Sequence, residues 1–287
     1  MRTTTLIGVI AFALAGLCDG VLAEDIDIYA GPVPVAARPN VLIVLDSSAN
    51  WSAYLPPDPE CFYHDKEAGT KMGTEKSALY KLIDALPTDG HNVGLMLFNE
   101  SPAANSGGYP RSAILALSEE NKTRLKEEIL SLRISQDKGN NAAFAKTLYE
   151  AFLYLTAAAP YRGTAGSEWD QAAVSGGRYV LPAASGCSSH VVFIANGRPG
   201  EVTDNEAKAL LAAAGGDTTQ IKYPAGTVSN SDQANWADEF ARFMRDEHSI
   251  VTHTVAVVGA SSDGNYPYYI ENIAAKGGGL FKRAGSA

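Results

Sequence analysis

The order of apolar and polar positions along the chain predicts strands that alternate with helices. Six apolar runs have the length of strands, and the first is continuous, so both of its faces must be covered. These runs lie at 41–45, 93–98, 113–117, 191–195, 251–258 and 280–282. Segments with apolar residues at helical spacing separate them, as between Leu79 and Leu86.

This alternation predicts an α/β fold with a doubly wound, mostly parallel sheet of about six strands and helices on both faces. The run at 113–117 is expected near an edge of the sheet. Ligands of such sheets bind beyond the carboxyl ends of the strands, so the residues after each strand are the informative ones. Two long segments, 51–73 and 158–189, interrupt the pattern, and loops of this length form lids, binding surfaces or small added hairpins.

The chain opens with a signal-peptide pattern. Arg2 precedes twelve apolar residues at 6–17, and Val21 and Ala23 occupy positions −3 and −1 of a cleavage site. We expect cleavage after Ala23, which leaves an N-terminal extension over 24–39 and one domain over 40–287. A membrane anchor is the alternative, but the apolar run is too short to span a bilayer. No transmembrane span is expected after cleavage.

Composition and charge are typical of a globular protein and argue against nucleic-acid binding. The chain has 287 residues, of which 46% are apolar and 19% are charged, as is typical of globular proteins. The net charge is −9 and the basic residues are scattered, which argues against a nucleic-acid partner. Cys61 and Cys187 are the cysteines that follow the signal peptide, and export would let them form a disulfide. Two buried thiols are the alternative.

A candidate metal site follows the first strand. Asp46, Ser48 and Asn50 place one carboxylate and two further oxygen-bearing side chains at alternate positions. In a tight turn such side chains can converge, and Mg²⁺ accepts neutral oxygens and waters beside a carboxylate. The alternative is that Asp46 caps its own loop by accepting backbone N–H bonds.

At this turn the sequence resembles the von Willebrand factor A family, which carries Asp-x-Ser-x-Ser as a metal-ion-dependent adhesion site. The resemblance extends from about position 40 to 284 and includes the Gly-Gly-strand step at 277–281. It implies a non-enzymatic binding domain that holds Mg²⁺ or Ca²⁺ at Asp46, Ser48 and Asn50. In this family the metal takes a carboxylate of the partner as its sixth ligand.

Two other metal motifs of the family are altered in this sequence. Asn196 stands where the family has a second Asp, and it could hold a metal-bound water. The family's Thr falls on or near Ala142, where Asn141 could offer an oxygen instead. Because one formal negative charge replaces two, attraction for a dication is weaker. Two outcomes therefore stay open: a bound metal, or a turn that keeps its geometry without a tightly held one.

A narrower resemblance is to PilY-type adhesins of type IV pilus tips, carried by positions 24–29, 39–42, 46–51 and 194–199. It implies an exported factor in pilus biogenesis or adhesion, located in the periplasm, at the outer-membrane surface or on the pilus. The partner would be a pilin, a minor pilin or a surface ligand. In those adhesins a C-terminal β-propeller follows, and nothing similar occurs in this sequence.

The sequence stops just past its last predicted strand, where an A domain normally continues into a helix. We therefore expect a fragment, or a gene that is split or truncated at this point, with a short standalone form as the alternative. The alternative function is a periplasmic A-domain scaffold unconnected with pili.

Enzymatic interpretations lack the residues they need. A haloacid-dehalogenase-like phosphatase also places an Asp after an apolar strand, but it needs an acid two residues later, where Ser48 stands. The sequence has no nucleophile elbow, no dinucleotide-binding glycine motif and no Walker A loop. If no metal binds, we expect recognition through Trp51, Tyr54 and the 51–73 loop. The alternative for Trp51 is packing beneath its own loop.

Overall fold

The computed structural model describes residues 37–57, 59, 61, 67–99, 107–139, 142–165, 168–182, 185–200, 204–259 and 265–285. The proposed signal peptide, positions 24–36 of the extension and Asn141 lie outside these ranges. Among the helices that the structure describes, none is both long and apolar enough to cross a membrane.

The strands are β1 (Arg38–Leu45), β2 (Asn92–Asn99), β3 (Gly107–Ala116), β4 (Val174–Ser175), β5 (Arg178–Tyr179), β6 (Ser185–Ala195), β7 (Ile250–Val258) and β8 (Gly278–Gly285). The helices are α1 (Lys71–Ala85), α2 (Glu119–Ser131), α3 (Ile134–Asp137), α4 (Phe144–Leu155), α5 (Asn205–Ala213), α6 (Asn230–Gln233), α7 (Ala237–His248) and α8 (Tyr266–Lys276).

Six strands form one sheet in the order β3-β2-β1-β6-β7-β8. Every neighbouring pair is parallel except β2 and β3. The strand at the antiparallel edge, β3, contains residues 113–116 of the run that was expected near an edge. The predicted α/β fold, with a mostly parallel six-stranded sheet, is therefore confirmed.

The alternating side chains of β1 pack into two separate hydrophobic cores, one on each face of the sheet. Leu42 and Val44 face a core that includes apolar residues of α4, α7 and α8. Ile43 and Leu45 face the opposite core, with residues of α1 and α2. Because successive side chains of a strand point to opposite faces, a continuous apolar run is the sequence that such a position requires.

The long segment before β6 contains a small two-stranded hairpin of β4 and β5. Gly176 and Gly177 form its turn with φ of +58° and +73°, a conformation that glycine adopts without strain. The buried Glu150 holds this segment, because its carboxylate accepts bonds from Arg162 N at 2.8 Å and Tyr179 Oη at 2.6 Å. The hairpin leads into β6, which begins six residues earlier than the apolar run indicated.

The carboxyl ends of β1 and β6 form the crevice where the chain direction reverses. From β1 the chain continues to β2 on one side, and from β6 to β7 on the other. A crevice of this kind is the usual ligand position of a doubly wound sheet. The turns that follow β1 and β6 therefore form the walls of the expected ligand position.

Two buried histidines, His190 on β6 and His253 on β7, form a hydrogen-bonded pair. Leu280 N–H donates to His253 Nδ1 at 3.1 Å, so the proton of that ring is on Nε2. This Nε2–H faces His190 Nδ1 at 3.2 Å, and His190 Nε2 in turn faces Ser188 Oγ at 2.9 Å. Both rings are therefore neutral. Burial lowers the pKa of His190 to about 4, helped by repulsion from His253 and His91, and burial also lowers the pKa of His253.

This pair should make the folded state sensitive to acid. The unfolded imidazoles take protons near pH 6.5 but the folded ones resist them, so their contribution to stability is lost as the pH falls from about 6.5 towards 4. At pH 5 we expect roughly 1 to 2 kcal/mol of destabilisation from His190. Urea unfolding of the protein and of His190→Gln, at pH 7.5 and pH 5, measures how much of the pH dependence of the free energy of unfolding comes from His190. Equal pH dependence of the two proteins would contradict it.

Candidate functional site

The residues of the predicted turn lie at the crevice between β1 and β6. Asp46, Ser48 and Asn196 are buried, whereas Asn50 is exposed. Asp46 continues the ladder of β1, because its N–H donates to Ile194 O of β6 at 2.9 Å. The structure thus brings four of the five predicted metal-site residues to one end of the sheet. Asn141 lies outside the described residues.

The Asp46 carboxylate is used to hold the two turns together. Oδ1 accepts the backbone N–H of Ser48 at 3.0 Å, and Oδ2 accepts the backbone N–H of Asn196 at 2.8 Å. Burial raises the pKa of Asp46, while bonds from the Ser48 side chain and from these two amides lower it. This geometry is the loop-capping arrangement that the sequence left open.

Asn196, the residue after β6, also holds the turn after β1 and the turn after β6 together. Its Nδ2 donates to the backbone O of Asp46 at 2.6 Å and faces Glu75 Oε2 at 3.4 Å. Its Oδ1 is buried and has no hydrogen-bond partner among the described residues. Asn in place of Asp thus supplies a donor that a carboxylate would lack.

The neighbouring loops close around the turn through their backbones. Gly139 N donates to Ser47 O at 2.8 Å, and Gly200 N donates to Ala142 O at 2.9 Å. The buried Ala142 carries a methyl group, so it supplies no side-chain oxygen. Across the turn, the Asn50 side chain passes over Gly197, where an added Cβ would lie 2.0 Å from Asn50 Nδ2. Glycine at 197 therefore lets Asn50 lie across the turn.

Sequence reasoning missed Lys71 at the start of α1. Its side chain is buried, and Nζ donates to the backbone O of Asn196 at 2.6 Å. The ammonium also lies 5.8 Å from the centre of the Tyr266 ring. A protein cation therefore stands at the carboxyl-end crevice, beside the turn where the family resemblance implies a metal.

Sequence reasoning also missed Glu75, one helical turn after Lys71. Its buried Oε2 accepts the indole N–H of Trp51 at 2.8 Å. Burial is the largest cause that raises the pKa of Glu75 to about 8. The charge of Asp46 acts in the same direction, while the bonds from Trp51 and Asn196 and the charge of Lys71 act in the opposite direction. Trp51 is itself fully buried, so its suggested role in an interface is wrong and the alternative, packing beneath its own loop, is correct.

A signal for these two residues was present in the sequence. Extending the apolar stripe of α1 backwards from Leu79 by one and two turns reaches Glu75 and Lys71. Charged side chains on the buried face of a helix are rare unless they are paired.

The donor set fits a divalent cation poorly. Both oxygens of Asp46 already accept backbone amides, and the ammonium of Lys71 would repel a dication nearby. Among the described residues, no group of three or more His, Cys, Asp or Glu side chains could hold a metal. The binding of Mg²⁺ or Ca²⁺ stays a prediction that these contacts weigh against.

The disulfide between Cys61 and Cys187 also stays a prediction. Cys61 is half-buried in the loop before α1, and the backbone of Cys187 belongs to β6. The side chain of Cys187 lies outside the described part of the chain.

Removing the buried ammonium should destabilise the protein. In Lys71→Met, Asn196 O loses its hydrogen-bond partner and the buried Asp46 carboxylate loses the cation that offsets its burial, so we expect a loss of about 3 kcal/mol in the free energy of unfolding. The matched control is Lys138→Met, because Lys138 bonds Ser52 Oγ at the surface, at 3.4 Å. Chemical unfolding at pH 7 measures both. Equal losses in the two variants would show that Lys71 does not hold the turn.

The chain was compared with protein families, curated proteins and solved structures. No protein-family model matches the chain, and no curated protein matches it. Among solved structures, the chain is similar to the vWF domain of the type V pili tip protein Mfa5 from Porphyromonas gingivalis. The two are 9% identical, the match covers 86% of this chain and 90% of that chain, and the TM-score is 0.48. What the structure of this chain shows is an α/β fold with a mostly parallel six-stranded sheet in the order β3-β2-β1-β6-β7-β8.

Proposed function

We propose that the chain is a non-enzymatic binding domain that recognises a protein partner at the carboxyl end of its sheet. The observation that carries this proposal is an exposed aromatic side chain beside a rigid turn. Tyr54 follows the Asp46 turn and is 66% exposed, the largest exposed fraction among the large apolar side chains of the described residues. Its backbone pairs with Thr70, just before α1. A tyrosine fixed in this way can be buried by a partner at little cost in conformational entropy.

The burial of Asp46 supports a binding role over a phosphatase role. A nucleophilic carboxylate must reach its substrate, and the Asp46 carboxylate is fully buried with both oxygens bonded to amides. The side chain two residues later, Ser48, cannot act as the general acid of such a phosphatase.

The pilus context rests on the sequence. The resemblance to PilY-type adhesins at 24–29, 46–51 and 194–199 favours an exported protein of the pilus tip or of pilus assembly, with a pilin or minor pilin as the partner. An A-domain scaffold unconnected with pili is the second candidate. The identity of the bound partner distinguishes these two candidates.

Binding to purified type IV pili tests the function. The mature chain on a sensor surface should bind pili, and Tyr54→Ser should weaken binding about tenfold, as expected for an aromatic side chain at the centre of an interface. The control is Leu280→Ser: Leu280 is 44% exposed and lies near the start of β8, at the other end of the sheet. Binding that is absent, or equally weak in both variants, would contradict the proposal.

We further propose that the turn needs no metal, because Lys71 supplies the positive charge beside it. Calorimetric titration of Mg²⁺, Ca²⁺ and Mn²⁺ into the mature protein should give no saturable heat up to millimolar concentration. The control is the same titration of Asp46→Ala. Saturable binding that this substitution abolishes would instead establish a metal site at Asp46, Ser48, Asn50 and Asn196.

A further inference from the structure

A cleft beside the candidate site is lined by two basic side chains. It has a volume of about 520 Å³ and lies where the segment after β6 meets the loop before α6 and the start of α8. Arg198, two residues after Asn196, contributes one basic group, and Lys222 contributes the other. This volume is within the range of ligand-binding clefts, and it exceeds the space that one small ion fills.

The charge of the cleft is opposite to that of the protein. The chain carries a net charge of −9, but none of the described residues that line the cleft has a carboxylate. Arg198 and Lys222 are exposed, and within the described part of the chain neither forms an ion pair. The cleft therefore offers two uncompensated cations on an acidic protein.

The walls of the cleft are held by side-chain bonds to the backbone. Gln233 is buried, accepts Tyr223 N at 3.3 Å and donates to Val228 O at 3.2 Å. Asn265 Nδ2 donates to Gly226 O at 3.0 Å. These bonds join the 222–229 loop to the last residue of α6 and to the start of α8, so the cleft exists before a ligand arrives. Preorganisation of this kind reduces the entropy lost on binding.

We propose that this cleft binds an acidic segment of the protein partner, with carboxylates placed between Arg198 and Lys222. This inference rests on the proposed binding function and names the chemistry that the partner presents. A peptide fits better than an isolated anion, because Val228, Ala225 and the Tyr223 ring line the cleft together with the two cations. The carboxylates supply the charge, and the apolar atoms of the segment cover these side chains.

A labelled oligoglutamate peptide tests the cleft by fluorescence anisotropy at low ionic strength. The mature protein should bind it, should not bind oligoglutamine of the same length, and should release oligoglutamate as salt is added. Arg198→Gln and Lys222→Gln should each weaken binding about fivefold, which corresponds to about 1 kcal/mol per exposed ion pair. The double variant should weaken it further.

A second double variant, Arg178→Gln with Lys208→Gln, changes the net charge equally. Both of its target residues are exposed and lie outside the cleft lining. Equal losses of binding in the two double variants would overturn the proposal, because general charge would then explain the binding. Inorganic phosphate that competes as strongly as the peptide would also overturn it, because the cleft would then be a site for small anions.

The outcome for the cleft is separable from that for the proposed function. If pili bind through Tyr54 but oligoglutamate does not bind, the cleft proposal fails and the binding function stands. If oligoglutamate binds through Arg198 and Lys222 while Tyr54→Ser leaves pilus binding unchanged, the cleft proposal stands and the role of the Tyr54 surface fails.

Discussion

The junction between β1 and β6 is the constraint on which the carboxyl end of the sheet depends. Asp46 accepts backbone amides from its own turn and from Asn196, and Asn196 returns a bond to the backbone of Asp46. A buried carboxylate is costly unless hydrogen bonds replace its water. Because the bonds span both turns, the charge that would otherwise destabilise the fold fixes their relative position.

The buried ammonium of Lys71 completes this junction. It bonds the carbonyl of Asn196 and lies in the field of two buried acids, Asp46 and Glu75. A side-chain cation is covalently part of the protein, so it stabilises the turn whatever the concentration of metal outside. In this arrangement the turn acts as structural support for the surface around it, and it leaves no carboxylate exposed for chemistry.

In the proposed function, two surfaces at the carboxyl end of the sheet would contact the protein partner. The exposed ring of Tyr54 offers apolar area beside the turn, and the cleft of Arg198 and Lys222 offers positive charge next to Asn196. Apolar contact contributes most of the free energy of binding, whereas charge contributes orientation and speed of association. An acidic protein with a local basic cleft would select partners by the sign of their charge.

The sequence by itself determined the class of fold and the position of the candidate site. A continuous apolar run fixed β1 as a strand buried on both faces, and its end fixed Asp46 at the carboxyl edge of a parallel sheet. The sequence also showed that Asn196 follows another apolar run, 191–195, and this run is the last part of β6 in the structure. These inferences succeed because a continuous apolar run and its length are local properties of the sequence.

Only the tertiary structure decided what the site residues do. Asp46 and Asn196 are 150 positions apart, and Lys71 and Asn196 are 125 apart, so no local pattern shows that they bond. The sequence pattern suggested Trp51 as a contact for a partner, but in the structure its indole N–H donates to Glu75 Oε2. Whether a polar side chain binds a ligand or stabilises the fold depends on its partners, and the fold brings those partners from distant parts of the chain.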